Sequence, residues 1–166
     1  MAEIKYINVR KEFDRFFKAV ISKSRDNLKS LGKNASGDLS KSLDYKIIES
    51  ANSIDADFLM ESYGDFVDKG VKGVSSGTSL AGYKYTDKKP PLAPLRTWAK
   101  RKTGKFRERN ATHRAFAIQN VIYQRGLPPT RFFSKPFEDE FKNLPDEIVE
   151  AYGLDVEDFM EFVLND

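Results

Sequence analysis

The chain has no cysteine and a single histidine, His113, among its 166 residues. Without cysteine there is no disulfide, no thiolate metal ligand and no thiol nucleophile. One imidazole leaves a serine triad without its usual base and a zinc centre short of ligands. His113 stands beside Arg114 in a helical segment, where a surface or partly buried structural role fits it better than catalysis. A phosphate loop is also missing: Gly70, Gly73, Gly77 and Gly82 share one stretch, but no Gly-Lys-Ser/Thr follows. No apolar run approaches membrane-spanning length. The opening residues, MAEIKYINVRKEFDRFF, mix charges and lack the apolar stretch of a signal peptide. Asp55 and Asp57 form an Asp-x-Asp pair on one face of a strand, as in some metal-dependent nucleases, yet the same alternation describes the wet side of a half-buried hairpin. These absences lead us to expect a soluble protein of cytoplasmic origin, not an enzyme, with no cofactor, no metal and no small-molecule substrate.

What the chain does have is aromatic side chains and separated charge. Thirteen Phe and seven Tyr mean that few side chains must bury much area. The net charge of +3 conceals eleven acids against one base, Lys142, in residues 137–166. Lys84 to Arg109 holds ten bases against Asp87 and Glu108. The two segments can pair within one chain or between copies, or both can be solvated faces. Lys100, Arg101, Lys102, Lys105, Arg107 and Arg109 lie near Trp98 and Phe106, a mixture also suited to nonspecific contact with nucleic acid. No sequence-reading nucleic-acid motif accompanies it.

Periodicity sets out the elements. Val9, Phe13, Phe16, Phe17, Val20, Ile21, Leu28 and Leu31 predict a helix over 7–31, ending near Gly32. Tyr45 to Glu49 and Ile54 to Met60 predict an antiparallel hairpin with one buried face. Tyr63, Phe66 and Val67 share one side of a short helix. The Gly/Ser-rich run from Val71 to Gly82 reads as a mobile or partner-ordered loop. Pro94 suits the first turn of a helix running to Lys102, and Ala111, Ala115, Ile118 and Ile122 mark another that stops at Gly126. Thr130 to Phe133 is expected as a short edge strand, and Pro136 as the start of an acidic helix with Phe137, Phe141 and Leu144. Pro145 and Gly153 are expected to divide the remainder into two helices, Asp146–Tyr152 and Asp155–Leu164. The expected fold class is α+β: a long N-terminal helix and C-terminal helices on a small antiparallel sheet, with a long central arm inserted at about 71–110. Residues 1–144 form the α+β domain and residues 145–166 an acidic helical extension.

Three stretches carry a family resemblance. They are Tyr63-Gly-Asp-Phe-Val-Asp-Lys-Gly-Val-Lys-Gly73, Pro90-Pro-Leu-Ala-Pro-Leu-Arg-Thr-Trp-Ala-Lys-Arg-Lys102, and Ala115-Phe-Ala-Ile-Gln-Asn-Val-Ile-Tyr-Gln-Arg-Gly126 running into Arg131-Phe-Phe-Ser-Lys-Pro-Phe137. In this order they resemble the neck and tail-completion (head–tail joining) proteins of tailed bacteriophages. The resemblance spans roughly residues 7–142; the insertion between Gly73 and Ala115 and the extension over 143–166 depart from it. It implies a virion subunit assembled in the host cytoplasm, part of an oligomeric ring in the neck that acts as adaptor, stopper or tail-completion protein around the DNA channel. The implied partners are copies of itself, neighbouring portal, connector or tail proteins, and channel DNA in a nonspecific way, with no membrane. The residues singled out for such contacts are Tyr63, Phe66, Trp98, Lys100, Arg101, Lys102, Arg131, Phe132, Phe133, Asp155, Glu157 and Asp158. The alternative is a small DNA-binding accessory protein using residues 84–109.

Overall fold

The computed structural model describes residues 5–32, 37–50, 53–101 and 110–165. Helix α1 (Ile7–Ser30) carries the apolar stripe to one side, with Val9, Phe16, Phe17, Val20, Ile21 and Leu28 buried. Gly32, at φ +62, ends it. A short helix, α2 (Asp38–Ser42), follows and buries Leu39. Arg25 ties α1 to this segment by donating to the carbonyls of Ser40 (3.0 Å) and Leu43 (2.8 Å).

Strands β1 (Asp44–Ser50) and β2 (Ser53–Leu59) pair antiparallel, with Tyr45 opposite Phe58 and Ile47 opposite Ala56. Those four residues make the inner face, and period-two alternation sends Asp55 and Asp57 outward, where both are exposed. The hairpin's inner face closes an aromatic core against α1. Phe17 lies 4.2 Å from Phe58 and stacks on Tyr45 at 5.1 Å. Phe58 meets Phe133 edge-on at 4.9 Å, the geometry that the ring quadrupoles favour. A second cluster, built on Ile21, Leu28, Leu39, Leu43 and Phe132, continues the core along α1.

Helix α3 (Gly64–Lys69) turns a different side inward from the one expected. Gly64 and Asp68, one turn apart, are its buried residues, whereas Tyr63 and Phe66 are exposed. A Cβ on Gly64 would come 2.6 Å from the Met60 sulfur, so close packing selects this side.

Beyond α3 the chain makes a second, two-stranded sheet from β3 (Val71–Lys72) and β4 (Gly126–Leu127). The Gly/Ser-rich run is not a free loop. The backbone N–H of Val74 donates to Tyr123 O (2.9 Å), and those of Ser75 and Ser76 donate to Gln124 O (3.0 and 3.2 Å). The glycines permit this contact: a Cβ on Gly73 would lie 2.3 Å from Gln124 O, and one on Gly126, at φ +80, 2.1 Å from Val71 O. Here glycine serves close backbone approach rather than flexibility.

Helices α4 (Leu92–Arg101) and α5 (Ala111–Arg125) pack on each other and form the arm. Asn110 caps α5 by accepting from Thr112 N at 3.0 Å. The basic linker expected between them, including Lys102, Lys105, Phe106, Arg107 and Arg109, lies outside the described residues. Small residues, Ala99 and Ala115, are buried in the arm.

Thr130 to Phe133 does not form a strand. It is a turn, with Arg131 at φ +51, that delivers the chain into α6 (Ser134–Phe141). The remainder is one helix, α7 (Leu144–Asn165), rather than two. Pro145 falls in its first turn, where a missing N–H costs nothing, and Gly153 is absorbed in its interior. Helix α7 runs antiparallel to α1, with Asp155 at the start of α1 and Glu147 on Arg15 (2.7 Å). The architecture is therefore α+β, with long terminal helices flanking a small antiparallel hairpin and a helical arm inserted between them.

Candidate intersubunit surface

The residues singled out from sequence divide into two groups. Phe132 and Asp155 are inside, at 0% and 2% exposure, and Phe133 is half-buried in the aromatic core. These three hold the subunit together and offer nothing to a partner. Tyr63, Phe66, Trp98, Lys100, Arg131, Glu157 and Asp158 are exposed. For Arg101 only the backbone is described, and Lys102 lies outside the described residues.

The two carboxylates buried among the described residues are structural caps joining distant segments. Asp155 Oδ1 accepts from the backbone N–H of Asn8 (2.8 Å) and from its side-chain amide (2.9 Å), while Oδ2 accepts from Val9 N (3.1 Å). Tyr6, the residue before α1, supplies no side-chain cap, so the first-turn N–H groups are met by an anion 147 residues away. Asp68 does the same for α6. Its Oδ1 accepts from Phe133 N (2.8 Å) and Ser134 N (3.1 Å), and its carbonyl accepts from Thr130 N and Arg131 N, both at 3.0 Å. This is how α3 fixes the Arg131-Phe-Phe turn. Nothing in local periodicity marks Asp68 or Asp155 as a cap.

Around Tyr63 and Phe66 the surface is ordered by neighbours. Phe66 meets Tyr83 edge-on at 4.8 Å, and the Tyr83 hydroxyl donates to Asp65. Lys69 sits 2.8 Å from the same carboxylate. The Lys69 hydrogen bond, then that from Tyr83, holds the Asp65 carboxyl below its ordinary range, and donating to that carboxylate raises the Tyr83 phenol. Tyr63 is raised chiefly by burial, with Asp38 and Glu61 adding to it.

Charge is divided between the arm and α7. Residues 71–125 carry thirteen bases and two acids, whereas residues 144–165 carry seven acids and no base. Lys84, Lys88, Arg96, Lys100 and Arg125 have no ion pair among the described residues; Lys89 bonds Asn120 (2.8 Å) and sits over the Tyr123 ring. Part of the C-terminal acid is spent inside the chain: Glu138 pairs with Arg131, Glu140 with Lys23 and Glu147 with Arg15. Asp146, Glu150, Glu157 and Asp158 stay without an ion pair among the described residues.

The surface is also rich in apolar side chains. Trp98, Phe116 and Val121 are exposed on the arm, and Val74 and Leu80 at its root. Helix α7 exposes Val149 (72%), Tyr152, Met160, Val163 and Leu164 (79%), a second apolar face that the sequence reading did not isolate. An open cleft of about 280 Å³ beside Arg25 and Tyr45 is smaller than ordinary ligand cavities, and no cluster of potential metal ligands occurs among the described residues. No family model, no curated protein and no solved structure matches the chain.

Proposed function

We propose that the chain is a non-enzymatic structural subunit of a tailed-bacteriophage virion, one copy of an oligomeric ring in the neck that joins capsid and portal to tail around the DNA channel. The observation that carries this reading is the imbalance of apolar surface. Among the described residues, nineteen large hydrophobic residues are exposed and fourteen hydrophobic residues are buried. Scattered apolar side chains are normal on a monomer, but contiguous faces of this kind mark surfaces that partners cover. The resemblance supplies the kind of assembly. Its segments occupy the joints of the fold: Tyr63–Gly73 leads from the hairpin into the arm, and Arg131-Phe-Phe enters α6.

The test is composition of purified particles. Quantitative mass spectrometry of phage encoding this chain is expected to find it at a fixed copy number per portal. Deleting its gene is expected to leave filled heads and tails unjoined. Absence from particles, with normal joining in the deletion, overturns the reading.

The unpaired bases of the arm favour a second reading, a DNA-binding accessory protein. Binding of bare duplex by isolated monomer, falling steeply with salt, would support it. Loss of that binding on Arg96→Glu/Lys100→Glu would assign it to the arm.

A further inference from the structure

Helix α7 has two apolar stripes, and the fold uses one. Leu144, Ile148, Ala151 and Asp155 recur at spacings of four, three and four and face α1, with Leu144 and Ile148 in the aromatic core and Asp155 capping the helix. Val149, Tyr152, Val156, Met160 and Val163 recur at spacings of three, four, four and three, which places them on a separate line roughly 100° around the helix. Val149, Tyr152, Met160 and Val163 are exposed, and Tyr152 stacks on Tyr6 at 6.2 Å. Glu150 and Glu157, seven residues apart, share a line about 100° further round the helix, exposed and without an ion-pair partner among the described residues.

With Leu164, the stripe exposes on the order of 500 Å², the scale of the largest apolar patch on a monomer and short of the roughly 800 Å² per partner of a standard interface. A charged rim is therefore part of whatever covers it. The rim on α7 is wholly acidic, which makes a second α7 a poor occupant, because like charges would face each other. The arm has complementary charge: Arg96 and Lys100 lie one turn apart on α4, exposed and without an ion pair among the described residues, and Trp98, Phe116 and Val121 are exposed on other faces of the arm.

We propose that the second apolar face of α7 docks on the α4–α5 arm of another copy of this chain. This rests on the ring reading and specifies its contact. The contact is heterologous, so each subunit offers α7 to one neighbour and the arm to the other, and repetition closes a ring or extends a filament. It differs from simple attraction between a basic and an acidic segment. Several C-terminal acids are already paired within the subunit, and the apolar stripe sets the register while Glu150 and Glu157 choose the partner.

The experiment is light scattering on the purified full-length protein at low and high ionic strength. Wild type is expected to have a mass several times 19.0 kDa. Val149→Glu/Met160→Glu, at exposed positions, is expected to give monomer with unchanged circular dichroism. Glu150→Lys/Glu157→Lys and Arg96→Glu/Lys100→Glu are each expected to weaken self-association at least tenfold, and mixing those two proteins is expected to restore it. A wild type that stays monomeric at every concentration overturns the docking. An oligomer indifferent to all three variants overturns this surface while leaving the ring reading to the particle measurement. Dissociation by Val149→Glu/Met160→Glu, with no effect of either charge reversal, overturns the arm as the occupant.

Discussion

Asp68 offers the sharpest perturbation of the fold's logic. Asp68 is 2% exposed and makes no ion pair among the described residues; what compensates its burial is the pair of N–H groups opening α6, at 2.8 and 3.1 Å. In Asp68→Ala both donors lose a charged acceptor in a place that water reaches poorly. One hydrogen bond to a charged group contributes about 1.5–3 kcal/mol and loss of a helix cap about 1 kcal/mol, with overlap between the two. The expected cost is ~2–4 kcal/mol, or a fall in melting temperature of roughly 5–15 °C for a chain of this length. Asp68→Asn keeps an oxygen acceptor and loses only the charge assistance, so it should cost ~1 kcal/mol. Urea denaturation followed by far-UV circular dichroism measures both. The near-UV signal adds a local readout, because Phe133 would move on Phe58 if the turn relaxes. A cost below ~1 kcal/mol for Asp68→Ala, or equal costs for the two variants, would refute the argument that this carboxylate holds the Arg131-Phe-Phe turn.

Asp155→Ala should be milder in the core and stronger at the terminus. Three hydrogen bonds to α1 disappear, and faster amide exchange at Asn8 and Val9 is expected, with ~1–3 kcal/mol lost overall. Gly126→Ala places a methyl 2.1 Å from Val71 O at a φ of +80, so the arm's root should open, costing upwards of ~2 kcal/mol and exposing residues 73–82 to protease. Asp14 and Asp65 both have carboxyls held below the ordinary range, first by hydrogen bonds from Lys18 and Lys69, then by Tyr45 and Tyr83. Their contribution is present above the ordinary carboxylate pKa and is lost as pH falls through the lowered values, so urea midpoints should drop below about pH 4. Both side chains are more than a third exposed, so high salt should flatten that drop.

How much of this was legible in the sequence depends on the range of the cause. Helix α1, the hairpin and α5 follow from periodicity, because each buries one face and the apolar residues record it at every turn. Helix α7 was misread as two because Pro145 and Gly153 were weighed as breakers without regard to position. In the first turn proline removes a donor that has no partner anyway, and one interior glycine costs only about 1 kcal/mol, which docking on α1 outweighs. The 71–82 run was misread for a related reason. Gly73 and Gly77 fit against Gln124 and Arg125, some fifty residues later, and composition alone does not distinguish close packing from freedom. Asp68 and Asp155 were illegible as caps because each serves a helix 65 or more residues away. Tyr63, Phe66, Trp98 and Lys100 were singled out from the sequence and are exposed; the second stripe of α7 was not, since its reading required an unbroken helix.

The same distribution of burial sets where the isolated subunit is weakest. Both large apolar clusters lie along α1, the hairpin and α6, where phenylalanines bury most of their area. The arm's fully buried residues, Val71, Pro90, Ala99 and Ala115, are small, and its Leu92, Leu95, Ile118 and Ile122 are only half-buried. Its larger side chains, Trp98, Phe116 and Val121, face outward. An arm of that composition has low local stability by itself and gains from any partner that covers those residues. A partner present at a hundred times its dissociation constant adds about 2.7 kcal/mol to the bound form. Order in the arm and assembly through it are therefore coupled: the side chains that leave the monomer's arm weakly held are the ones that give a neighbour something to bind.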